Sequence, residues 1–96
     1  MTTSDIEFAT RDQVNARRNY LMGLWAGRML GLRERRLSEY VYEVMISDHK
    51  EPGPQVVVRK LSRDLAAAGM EIGEAEVLRQ LTMTEKSVRS ELHATD

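Results

Sequence analysis

Residues 16–31 read ARRNYLMGLWAGRMLG, and the reading of this stretch decides the fold. It holds the one tryptophan, Trp25, and the densest run of large apolar side chains. Leu21, Leu24, Trp25 and Arg28 fall at i, i+3, i+4 and i+7, with Met22, Met29 and Leu32 on neighbouring rows. That spacing predicts an α-helix with a broad apolar stripe on one side. Aromatic side chains bury on the order of 150–250 Å², so Trp25 is the expected anchor of the core. Gly23 and Gly27 lie inside the same helix. Each costs roughly 1 kcal/mol relative to alanine, which points to close approach by a neighbouring helix. Arginines at 18 and 28 flank the pair and argue against a membrane dimer motif.

The pattern extends outward in both directions. Upstream, the helix is expected to begin near Arg11, with residues 1–10 as a flexible polar arm and residues 11–96 as one domain. Ser4 or Asp5 could cap a short helical start. Phe8, the single phenylalanine, either packs back on the domain or waits for a partner. Downstream, Gly31 suits a left-handed helix end. A second helix is expected from Arg33 or Glu34 to Ser47, because Leu37, Tyr40, Val41, Val44, Met45 and Asp48 repeat on one face. Glu51-Pro52-Gly53-Pro54 breaks the chain, and Pro54 fits the first turn of the next helix. That third helix spans Gln55 to Ala68 with Val57 or Val58, Leu61, Leu65 and Ala68 inward. Gly69 ends it, and Met70–Gly73 turns. A fourth helix from Glu74 to Leu92 carries a thinner stripe of Leu78, Leu81, Glu85, Val88 and Leu92. The expected fold is all-α: a small four-helix bundle-like domain with a flexible N-terminal arm.

Composition excludes several kinds of function. The 96 residues suffice for one core. Charged residues make up 30% and apolar ones 42%, as in soluble globular proteins. There is no cysteine, hence no disulfide, thiolate zinc site or thiol nucleophile. No apolar run reaches the length of a signal peptide or a membrane span. The expected location is therefore cytoplasmic, without direct membrane insertion. The net charge of −1 hides a dipolar layout. Residues 11–36 carry seven arginines against Asp12 and Glu34, leaving +5, while residues 37–52 and 71–96 each come to −3. Such blocks either satisfy one another across a bundle or offer a basic face to an acidic partner. Nucleic-acid binding would favour a denser basic patch and a basic pI; the pI of about 6.1 argues against it.

No catalytic or metal site is expected. His49 and His93 are far from ligand spacing. Ser47, Asp48 and His49 are adjacent, and neighbours on a helix do not face one another. Asp48 reads instead as a buried or half-buried polar residue near the helix end, bonding the turn that follows. Neither GxxxxGK[ST] nor GxGxxG occurs. Arg17, Arg18, Arg28 and Arg33 are candidates for holding an anion such as the phosphates of ATP or ADP, although arginine stems also serve to cover apolar surface.

The residues carry a resemblance. Ala16-Arg17-Arg18-Asn19, Leu21, Gly23, Trp25-Ala26 and Leu30-Gly31 resemble the opening motif of the ATPase inhibitor zeta subunit family of the α-proteobacterial F-type ATP synthase. The pattern resumes at Tyr40, Ser47-Asp48 and Glu51-Pro52-Gly53, then runs through Val57, Arg59-Lys60-Leu61 and Asp64-Leu65. It covers residues 16–65, the fourth helix matching only in general character. The resemblance implies a four-helix, non-enzymatic regulator without a cofactor. It would dock on the catalytic head of the synthase and so sit peripherally at the inner membrane. In the family, a mobile N-terminal segment blocks rotation in the hydrolytic direction and spares synthesis. Phe8-Ala9 is similar to the Phe-Ala of that arm. The segment before Ala16 is shortened here, and Gln55 and Val56 stand where an acidic pair is expected. On this resemblance the partner contacts are Ile6, Phe8, Arg11, Val14, Arg17 and Arg18. The alternatives are a non-inhibitory helical module binding an adenine nucleotide weakly, or one binding another protein.

Overall fold

The computed structural model describes the backbone of residues 3–50 and 53–94, and the side chains of residues 11–48 and 53–92. Four helices follow one another: α1 (Thr3–Met29), α2 (Glu34–Lys50), α3 (Pro54–Ala67) and α4 (Glu74–Ala94). Among the described residues no strand forms. α1 packs against each of the other three, whereas α2 and α4 do not meet among the described residues. The helix read as central from sequence is therefore central in space.

α1 begins at Thr3 rather than Arg11. The backbone of residues 3–10, expected as an arm, continues the helix; no proline or glycine precedes Gly23 to interrupt it. The side chains of Ser4 and Asp5, the expected caps, lie outside the described residues. Both predicted glycine stops are left-handed, Gly31 at φ 82° and Gly69 at φ 86°. Each closes a Schellman motif. The Leu32 N–H donates to the Gly27 carbonyl at 2.9 Å and the Met70 N–H to the Leu65 carbonyl at 3.0 Å. Leu32 and Met70 then fold back on the core. Pro54 opens α3 as expected, and the Gly53 N–H donates to Asp48 Oδ1 at 3.3 Å. Asp48 thus ties the end of α2 to the start of α3, the role its position implied.

The core joins Met22 and Ala26 of α1, Tyr40 and Val44 of α2, Val57, Val58, Leu61 and Leu65 of α3, and Val77 and Leu81 of α4. The α2 and α3 faces agree with the sequence pattern, except that Ala68 is exposed. On α4, Val77 is buried and its neighbour Leu78 is 38% exposed, the reverse of the expected choice. On α1 the stripe is displaced. Its inner face is Val14, Arg18, Asn19, Met22, Gly23, Ala26 and Gly27. Leu21, Leu24 and Trp25 are half-buried beside it, and Trp25 packs on the margin of the core rather than at its centre. The cause is proximity. A Cβ on Gly23 would lie 3.1 Å from Val41 Cα, so α2 approaches too closely for bulk there. Small residues occupy the contact line, as the two glycines foretold, and the large side chains are displaced to its flank.

Candidate partner-contact face of the first helix

The candidate contact residues all lie on α1, and its geometry separates them. The side chains of Ile6 and Phe8 lie outside the described residues. Arg11 is exposed. Val14 is 1% exposed, turned into the bundle rather than outward. Arg17 is exposed and sits over the Tyr20 ring, 5.6 Å from its centroid. Arg18 is 3% exposed. Its Nη1 donates to Glu85 Oε1 at 2.9 Å and to Asn15 Oδ1 at 3.2 Å, and its Nε donates to Asn19 Oδ1 at 3.0 Å. That guanidinium joins α1 to α4; a buried charge is tolerated only with such partners. The face that sequence grouped as Val14, Arg17 and Arg18 is therefore divided, with Arg17 outside and the other two inside.

The four arginines proposed to hold an anion are not brought together as a group, although Arg28 and Arg33 line one depression at the turn between α1 and α2, with Glu34 beside them. Arg18 is already paired. Arg17 and Arg28 are separated by about 16 Å of helical rise, at 1.5 Å per residue. Arg33 lies beyond the end of α1, in the connection to α2.

Sequence reasoning missed a cleft of about 480 Å³ between α1 and the α2–α3 junction. Asp12, Asn15 and Asn19 line one side, and Met45, Asp48 and Gly53 the other. The signal was present as polar residues spaced by three and four on α1, but it becomes a cleft only when α2 folds back. Among the described residues no group of three or more histidine or acidic side chains could hold a metal ion. Ser47 Oγ donates to the Val44 carbonyl at 2.7 Å, so its hydroxyl is bonded within its own helix. The His49 and His93 side chains lie outside the described residues.

A second polar group staples α2 to α3. The Tyr40 hydroxyl donates to Asp64 Oδ2 at 2.8 Å, Lys60 Nζ donates to the same oxygen at 3.1 Å, and the Lys60 ammonium lies 5.4 Å from the Tyr40 ring centroid. Burial first, then the bond to Asp64, raise the Tyr40 phenol far above its ordinary value. The sign for stability follows from linkage. Below about pH 10 the tyrosine is protonated in both folded and unfolded chains, and its contribution is fully present. Above that pH the unfolded chain loses the proton while the folded one keeps it, so stability falls. Tyr40→Phe should cost about 1 kcal/mol at neutral pH. Above about pH 10 it should remove a decline of roughly 1.4 kcal/mol per pH unit. Urea midpoints of both chains across the alkaline range check this; parallel declines would show that Tyr40 is not the responsible group.

The family model described as ATPase inhibitor subunit zeta matches residues 5–91 of this chain. The match takes in all four helices, beyond the half of the chain whose motifs carried the resemblance. Neither a curated protein nor a solved structure matches. Among the described residues no helix is long and apolar enough to cross a membrane.

Proposed function

Because the chain belongs to the ATPase inhibitor subunit zeta family, we propose that it restrains ATP hydrolysis by seating the start of α1 against the catalytic head of an F-type ATP synthase. The family match carries the reading: it assigns a regulatory role with an ATPase as partner. The shape of α1 supports the finer part. At 27 residues it is the longest helix, against 17, 14 and 21 for the others. Its first buried described side chain is Val14, while Arg11, Asp12 and Gln13 are exposed. A helix carried on a bundle and extending past it is suited to act as a wedge in an interface that must change shape during turnover. In this proposal Ile6 and Phe8 supply apolar anchors, and Arg11 and Arg17 supply charge. Val14 and Arg18 mark where the contact face gives way to the bundle.

The test is steady-state hydrolysis by the cognate enzyme, with the full chain and with one lacking residues 1–13, which spares Val14. The full chain should slow hydrolysis and leave synthesis unaffected. The truncated chain should melt cooperatively and have no effect. Undiminished hydrolysis at micromolar full-length chain would refute the proposal, and inhibition by the truncated chain would move the contact elsewhere.

A further inference from the structure

α1 carries apolar side chains on two sides. Met22 and Ala26 face the bundle. On another side Leu21, Leu24 and Trp25 are half-buried, and Met29 is 37% exposed. Together with Arg28 they line a shallow depression of about 400 Å³. Arg17, Leu21, Leu24 and Arg28 stand at i, i+4, i+7 and i+11, so two leucines lie between two cations on one row of the helix. Neither Arg17 nor Arg28 has a carboxylate partner among the described residues.

We propose that this row is a docking site for an amphipathic helix of another protein, one whose apolar anchors lie between acidic side chains. The apolar centre would supply affinity by the helix-in-groove mode, and the arginines would fix register and exclude basic partners. Charge argues against a second copy as occupant. With the two rows aligned antiparallel, Arg17 meets Arg28 of the other copy; aligned parallel, each meets its own counterpart. Both arrangements place cation against cation beside an apolar contact, which disfavours pairing. The row shares Arg17 with the proposed inhibitory contact, but Leu21, Leu24 and Arg28 lie farther along α1 and the test uses no ATPase, so the two readings can fail separately.

The probe is a lactam-constrained helical peptide without tryptophan, carrying two leucines between two glutamates at the spacing of the row. Trp25 is the single tryptophan, so its emission reports occupancy of the row directly. The acidic peptide should produce a saturable blue shift below about 1 mM, and the same peptide with lysines should bind at least about tenfold more weakly. Arg17→Glu with Arg28→Glu should invert that preference, and Leu24→Asp should abolish both responses while helical circular dichroism is retained. Three results would overturn the proposal: no saturable shift, equal binding of the two peptides, or a blue shift that grows with chain concentration when no peptide is present.

Discussion

Replacing Glu85 by alanine is expected to destabilise the protein by about 3 kcal/mol, far more than loss of an exposed pair, which is worth about 1 kcal/mol or less. The difference lies in what remains behind. The Arg18 side chain is 4% exposed and that of Glu85 is 30% exposed. Removing the carboxylate strands a buried guanidinium with only the amide oxygens of Asn15 and Asn19 as acceptors. Breaking a fully buried pair costs about 3–5 kcal/mol, and the partial exposure of Glu85 places this case at the lower end. The complementary change separates charge burial from pair strength. Arg18→Met removes the cation and keeps an unbranched side chain of similar reach. Its cost should be limited to about 1–2 kcal/mol, arising chiefly from the buried Asn19 oxygen that loses its donor. Glu85 keeps Arg89 at 3.8 Å. Urea unfolding of the two single variants and the double variant checks this. A Glu85→Ala cost below about 1 kcal/mol would mean that water reaches Arg18. The pair also bears on the proposed wedge, since it anchors α1 to α4 one turn beyond Val14.

The contrast between helices explains what the sequence disclosed. α2 and α3 were legible because each has one apolar face, and neither face has a competitor. The stops were legible because Gly31 and Gly69 take the left-handed conformation that ends a helix without the Cβ penalty, and the fixed φ of Pro54 suits a first helical turn. α1 was misread because it is apolar on two sides, and residue size pointed to the outer one. Gly23, Ala26 and Gly27 add little to a hydrophobic pattern, yet closeness of packing selects them. Val77 and Leu78 are adjacent and both apolar, so only the way α4 packs on α1 and α3 decides between them. Arg18 was assigned to the surface with the other arginines because arginine is seldom fully buried, and Glu85 lies too far along the chain to be recognised as its partner. The cleft was illegible for the same reason: it arises only where the fold sets Asp48 and Gly53 opposite Asn15 and Asn19.

Gly23 carries the second large effect, and its sign depends on the size of the substituent. Alanine there gains about 1 kcal/mol of helix propensity. Against that, its methyl would lie 3.1 Å from the Cα of Val41, so two backbones must part by a few tenths of an ångström. The terms are comparable, and Gly23→Ala should fall within about 1 kcal/mol of the parent. Leucine meets the same backbone with a whole side chain and no space for it. Overpacking costs typically about 1–3 kcal/mol and occasionally more. The obstacle here is a main-chain atom that no rotamer change can move, so Gly23→Leu should cost about 3 kcal/mol or exceed it. Gly27 is the control. A Cβ there would meet first the Cδ1 end of Leu37, a flexible tip, and then Tyr40 Cδ2 at 3.3 Å. Leu37 can swing toward solvent, so Gly27→Leu should be milder than Gly23→Leu at equal added volume. Thermal or urea melts of the three variants rank them. Equal losses at the two positions would show that α1 and α2 separate as easily at Val41 as at Leu37, and would remove close backbone approach as the reason for glycine at position 23.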